Sequence, residues 1–335
     1  MIVAVALLGY ATLLLTAGAA ALARARWADR APRLAVAAWL ALTGSAVASV
    51  VLGGVALVVP TVRVSADLSA LLAACVMALR TTYAHPGGAV MAGAGAVLGL
   101  AVIARVTWCI AATLARAGLA RHRYRHTLAL TGRRDSRPGT VLVDHHQAAA
   151  WCLPGAGRPV VLTTAAAAAL DEVQLAAVLA HERAHQRGHH HLLVSLAGSL
   201  ATAFPRIRAL RQGHEQVARL VELIADDAAA ATSPRLKVAE ALLTLAAPAP
   251  AAAAALGAGG SATAARIRRL IAAPAPISRA RTAAGISTIA VLAAFPLVLL
   301  AGPAAAASGW NCCPHNVAAA DARPCPCPCG TACDC

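Results

Sequence analysis

The stretch "LAHERAHQRGHHHLL", residues 179–193, places five histidines and one glutamate in a chain otherwise rich in alanine, leucine and arginine. Upstream, "DEVQLAAVLAHERAHQRG" (171–188) has helical periodicity, with Asp171 and Glu172 in its first turn and a stop near Gly188. On that helix His181 and His185 lie four residues apart, on one face, where both can grip a single zinc ion. Glu182 is adjacent, and its carboxylate can hold a water beside the metal and take its proton. A catalytic zinc takes three protein ligands and keeps one position open. The segment "VELIADDAA" (221–229) offers Glu222 as the third. Asp226 follows one turn later on the same face and can accept the second ring proton of a ligating histidine, His181 first among them. The other histidines read differently: His189, His190 and His191 lie past the glycine and are expected in solvent or at lipid headgroups. His145, His146 and His214 are expected at the surface.

The composition sets the surroundings of this site. Of 335 residues, 59% are hydrophobic and 13% charged, and mean hydropathy is +0.67. Soluble domains are near half apolar and a quarter charged, so this chain reads as a membrane protein. The net charge of +15 comes with arginines set beside apolar runs, which suits anionic lipid headgroups, and direct nucleic-acid binding is not expected. Four stretches are long enough to span a bilayer: 2–23, 34–59, 88–115 and 283–306. The first is too long for a secretory signal, lacks a basic start and reads as a retained span. Leu68 to Leu79 is too short to cross. Arg105, inside the third span, is expected to snorkel towards the arginine-rich end.

Arginine placement then orients the chain. Arg24, Arg26, Arg30 and Arg33 follow the first span, seven arginines lie between 116 and 137, and five lie between 266 and 281. The loop from Pro60 to Pro86 has only Arg63 and Arg80. Residues 1–115 are thus expected to hold three spans, 116–282 a cytoplasmic domain, 283–306 the fourth span and 307–335 an extracytoplasmic tail. Within the domain, "TVLVD" (140–144), "AAAWCL" (148–153) and "PVVLT" (159–163) read as strands. Thr164 is the expected cap of the next helix, and further helices are expected at 214–231 and 235–246. "PAPAAAAALGAGGSA" (248–262) reads as a low-complexity linker.

Ten cysteines divide unevenly. Cys75, Cys109 and Cys152 sit among apolar residues and read as inert. Cys312, Cys313, Cys325, Cys327, Cys329, Cys333 and Cys335 crowd the tail, where disulfides persist on the extracytoplasmic side. Seven leaves one thiol over, and the C-x-C steps also suit soft metals such as Cu(I) or Zn. A disulfide-tied or disordered tail and a second-metal or redox sensor both stand as readings.

The strand-to-helix stretch 149–190, with "VELIADDAA" and "ARIRRLIAAP" (265–274), resembles the actinobacterial branch of the BlaR/MecR membrane zinc metallopeptidases. The resemblance implies a multi-pass α-helical membrane protein with a cytoplasmic α+β gluzincin-type peptidase between the third and fourth spans. It implies Glu182 as base, with His181, His185 and Glu222 on one catalytic Zn2+. It further implies a signal-transducing endopeptidase whose cytoplasmic protein substrate is a BlaI/MecI-like winged-helix repressor. Antibiotic-sensing members carry a penicillin-binding domain after the fourth span; here only residues 307–335 follow, so sensing of beta-lactams by acylation is not expected. The alternatives are a housekeeping membrane-protein quality-control protease of the HtpX/Ste24 type and a non-catalytic metal- or redox-sensing membrane protein.

Overall fold

The computed structural model describes residues 2–58, 86–153, 159–246, 259–272 and 277–308. The apolar run at 68–79, Cys75, most of the 248–262 stretch and the seven tail cysteines lie outside these residues.

Among the described residues, four helices are long and apolar enough to cross a membrane: Ile2–Ala23, Pro32–Val58, Gly87–Thr131 and Arg279–Leu300. The first is built from α1 (Ile2–Leu13), a π-helical turn (Leu14–Gly18) and α2 (Ala19–Ala23). The second is α3 (Pro32–Val58), the third belongs to α4 (Pro86–Thr131), and the fourth to a long terminal helix. At 1.5 Å per residue α4 is about 70 Å long, so the third apolar run and the basic stretch beyond it are one rod. The sequence gives no Gly–Pro break there, and nothing stops the helix before Gly132.

Small residues let the second and third spans approach closely, as is usual between membrane helices. A Cβ on Gly54 would stand 2.6 Å from the Gly95 carbonyl oxygen, and one on Gly95 would stand 2.7 Å from Leu57. The fourth span is held by the carbonyl of Leu292. Pro296, four residues on, has no N–H to fill it, and it accepts instead from Tyr10 (3.0 Å) and Ser45 (2.7 Å).

Beyond α4 the chain forms a four-stranded sheet of β1 (Arg133–Arg134), β2 (Thr140–Val143), β3 (Ala150–Cys152) and β4 (Val160–Thr163). The order is β1-β2-β4-β3, with β2 parallel to β4 and β3 antiparallel to it at the edge. Helix α5 (Thr164–Ala169) follows at once; its cap is Thr163, one residue before the expected Thr164, and its hydroxyl accepts from Ala166 N–H. Helix α6 (Glu172–Arg187) begins with a reciprocal cap between Asp171 and Gln174.

After Gly188 a helix absent from the sequence reading appears, α7 (His190–Ala203). It is followed by α8 (Arg208–Ala230), which starts earlier than the expected residue 214, then α9 (Arg235–Ala246), α10 (Gly259–Ile271) and α11 (Arg279–Ser308). Helices α7 and α8 do not stand apart from the spans. Ala197, Val217, Leu220, Leu223 and Ile224 share one buried core with Val36, Trp39, Leu42 and Ala46 of the second span. A Cβ on Gly213 would lie 3.2 Å from Thr43 and 3.4 Å from the Trp39 ring, so a small residue is needed where α8 crosses α3. Arg105 does not snorkel as expected: its guanidinium donates to the carbonyl of Ala203. The last carbonyls of a helix lack internal partners and attract cations, and Arg105 meets that need at the end of α7.

Candidate metal centre

Three elements build the site. Helix α6 carries His181, Glu182 and His185; α8 carries Glu222 and Asp226; α10 carries Arg266. The structure brings His181, His185 and Glu222 together, with one ligand atom from each lying within 4.8 Å of the others. The two Nε2 atoms are 3.1 Å apart. Glu222 places one carboxylate oxygen 3.6 Å from His181 Nε2 and the other 3.5 Å from His185 Nε2. Ligands about 2.0–2.1 Å from a tetrahedral zinc are about 3.3–3.4 Å from each other, so this donor set fits zinc in spacing and in chemistry.

Each ligand is steadied from behind. Asp226, with none of its surface exposed, stands 3.1 Å from His181 Nδ1. The approach is off the ring N–H direction, and this buried nitrogen has no better-aligned partner. Arg266 grips Asp226 with two bonds of 2.8 and 2.6 Å and lies 3.0 Å from Glu222. Asp227 points elsewhere, in a bidentate pair with Arg269 (2.8 Å each). His185 Nδ1 is 2.9 Å from Nδ1 of His190.

His190 and Arg266 are site residues that the sequence reading missed. His190 was expected in solvent, yet it is buried, because the chain folds back on itself immediately after α6. His189 adopts a left-handed backbone (φ 48°), and Gly188 leaves room where any Cβ would collide with the His190 ring. The G-H-H-H run was the available signal: a glycine before a histidine permits such a return. Arg266 lies in "ARIRRLIAAP", quoted above only for its resemblance. His145 and His146 are exposed as expected. His214 is only half-exposed, with its ring against Gly198 and its Nδ1 buried.

Cys152 is also closer to the chemistry than expected. Its thiol and its backbone N–H both face the Glu182 carboxylate. Burial, then the Glu182 charge, pushes this thiol up to about 12, so it stays protonated and can donate. Burial likewise raises the Glu182 carboxyl above its ordinary range, against the opposing pull of His181 and with a further push from Glu222. A base with a raised pKa is better matched to neutral operation. Burial works against a charge on His181, but the facing carboxylates of Asp226 and Glu222 outweigh it and lift the ring to about 9. Burial takes His185 the other way, to about 4.

Against this geometry the known families can be compared. Residues 120–284 match the model of Peptidase family M48. The matched stretch contains the sheet and every helix that supplies a site side chain. M48 peptidases are zinc metalloproteases, and the His–His–Glu cluster is the donor set such chemistry uses. With four helices able to cross a bilayer, this supports a membrane-associated metallopeptidase. The match does not reach the BlaR/MecR branch that the quoted motifs resemble. No curated protein and no solved structure matches the chain.

Two outcomes follow for the metal. Asp226→Asn should weaken zinc binding by roughly 10- to 100-fold, the cost of losing the carboxylate that orients a ligating histidine. Asp227→Asn should leave it unchanged, and competition with a chromogenic chelator distinguishes the two.

In the metal-free protein His181 holds a proton below about pH 9 while His185 does not. Zinc must displace that proton. Its apparent affinity should therefore rise about tenfold per pH unit between pH ~6 and ~8 and level off as the pH passes the His181 value. Calorimetry in buffers of different ionisation enthalpy should count about one proton released per zinc.

Proposed function

We propose that the chain is a membrane-anchored zinc endopeptidase that cleaves protein substrates on the cytoplasmic side. The observation that carries this reading is the convergence of His181, His185 and Glu222 with Glu182 beside them and Asp226 behind. Zinc, when bound, supplies a Lewis acid that polarises the scissile carbonyl and makes water more acidic. Glu182 takes a proton from the attacking water and passes it to the leaving amine. Cys152 faces the Glu182 carboxylate from the edge strand, and burial of Glu182 keeps its basicity high.

The substrate lies as an added strand along β3. Leu153 N–H donates to Pro159 and Thr163 N–H donates to the Ala149 carbonyl. In an antiparallel ladder this alternation turns the backbone groups of Ala150 and Cys152 outwards, to the free edge. The edge borders the helix that carries Glu182, so a peptide paired with Ala150 has its backbone straightened next to the base.

The cytoplasmic side is supported by the arginine distribution. The connection after the first span pairs with the peptidase helices: Asp29 accepts from Arg219 (2.7 Å), and its carbonyl accepts from Arg269 (2.9 Å). That arginine-rich connection and the peptidase therefore share one face of the bundle. The regulatory reading, in which a repressor of the BlaI/MecI kind is the substrate, rests on the resemblance of the 148–231 motifs. A quality-control role would show as many unrelated membrane substrates instead of one or a few. The cysteine tail as second-metal or redox sensor remains part of the regulatory proposal.

Glu182→Ala should retain zinc and lose turnover, since the base is not a ligand. Proteomics of cells with wild-type and Glu182→Ala protein identifies the substrates that accumulate, and cleavage by Glu182→Ala at the wild-type rate would refute the mechanism.

Ala150→Pro removes the outward N–H and should slow cleavage severalfold at unchanged zinc content. Ala149→Pro instead deletes the bond from Ala149 N–H to the Thr163 hydroxyl (3.0 Å), and its effect should appear in thermal stability. Peptide-cleavage kinetics and melting curves separate the two.

A further inference from the structure

Away from the metal centre, the first, second and fourth spans enclose a lateral cavity of about 670 Å³. This is within the ~300–1,000 Å³ range typical of ligand pockets. Its walls are apolar, with Leu14 and Leu22 from the first span, Leu34 and Leu42 from the second, and Ile289 and Leu292 from the fourth. The π-helical turn Leu14–Gly18 contributes to one wall, and such turns often mark functional sites. Two guanidinium groups interrupt the apolar lining, those of Arg30 and Arg281, with Trp27 beside them. Both arginines are exposed. Among the described residues neither is in an ion pair of the kind that Arg219, Arg266 and Arg269 make with carboxylates, and Asp29, next to Arg30, is taken by Arg219.

The dimensions identify the occupant. From Arg281 to Leu292 the fourth span rises eleven residues, about 16 Å. That is close to half of a ~30 Å hydrocarbon core, the depth of one leaflet. A cationic mouth at the headgroup level, an aromatic residue at the interface and an apolar slot one leaflet deep together match a phospholipid. Two unpaired guanidinium groups at that mouth select a net negative headgroup over a zwitterionic one. We propose that this groove binds one anionic phospholipid, its phosphate on Arg30 and Arg281 and an acyl chain between the fourth span and the first two.

The test uses the full-length protein in mild detergent, incubated with phosphatidylglycerol or with phosphatidylcholine of identical chains, and read by native mass spectrometry. One phosphatidylglycerol should be retained per chain in preference to phosphatidylcholine. The double variant Arg30→Gln/Arg281→Gln should weaken that retention by on the order of ten- to thirtyfold, with zinc content unchanged. Ala284→Trp, which keeps both arginines and fills the slot, should abolish it. Equal retention of the two lipids overturns the proposal, as does undiminished phosphatidylglycerol binding in the double variant. Undiminished binding in Ala284→Trp reduces the contact to surface charge and overturns the groove. A dimer that Ala284→Trp dissociates, with no lipid retained, assigns the face to a second copy of the chain and overturns it as well.

Discussion

One buried carboxylate ties the functional half of the molecule together. Asp226, with no exposed surface, lies between His181 of α6 and Arg266 of α10 while itself belonging to α8. Burial alone would favour its neutral form, yet the bonds from Arg266 and then His181 hold it below the ordinary carboxylate range. Such a charge tolerates burial only while its partners remain, and removing one partner of a buried pair costs roughly 3–5 kcal/mol. Three helices distant in sequence are therefore fixed relative to one another by a side chain that never touches the metal. The cost is justified by what the arrangement orients, since Arg266 also reaches Glu222 and so aligns a ligand as well as its support.

How much of this the sequence disclosed depended on how local each signal was. The helix with His181, Glu182 and His185 was legible because a four-residue spacing and Asp171 at the cap are short-range facts. Glu222 and Asp226 were legible for the same reason, as a spacing on one helix, once the first motif asked for a third ligand. The three longer strands were legible as β-rich runs between turn residues. The partner of Asp226 was not, because Arg266 is forty residues away and only the packing of α10 against α8 brings it there. Helix α7 was hidden for a different reason. It is too short to count as a span and starts at a histidine run that looks polar, while its burial depends on contacts with α4 and α8. Arg105 illustrates the same limit, since an arginine in an apolar helix reads as one that escapes to the surface until an unpartnered carbonyl is found beside it.

The division into spans and a peptidase domain, natural on the linear sequence, understates how the two are joined. Trp39 and Leu42 of the second span lie in the same core as Leu220, Leu223 and Ile224 of α8. Helix α6 belongs chiefly to another core, in which Leu175, Val178 and Leu179 pack on Val160 and Leu162 of the sheet. The donor set straddles this boundary. His181 and His185 come from the sheet-borne helix, and Glu222 comes from the helix seated on the second span.

A metal held by both helices would act as a cross-link between the sheet and the membrane bundle, and its binding energy would be in part assembly energy. The converse follows from the same contacts. Packed interfaces shift between discrete arrangements in preference to deforming continuously. A displacement of the second span would be carried by Trp39 into the stretch Leu220–Ile224, and Glu222 sits in the middle of that stretch. Ligands from one helix alone would have left the metal centre indifferent to the bundle. Placing the third on α8 makes the geometry at the metal a function of how the spans are packed, which is the physical requirement for any signal received in the membrane to reach the peptidase.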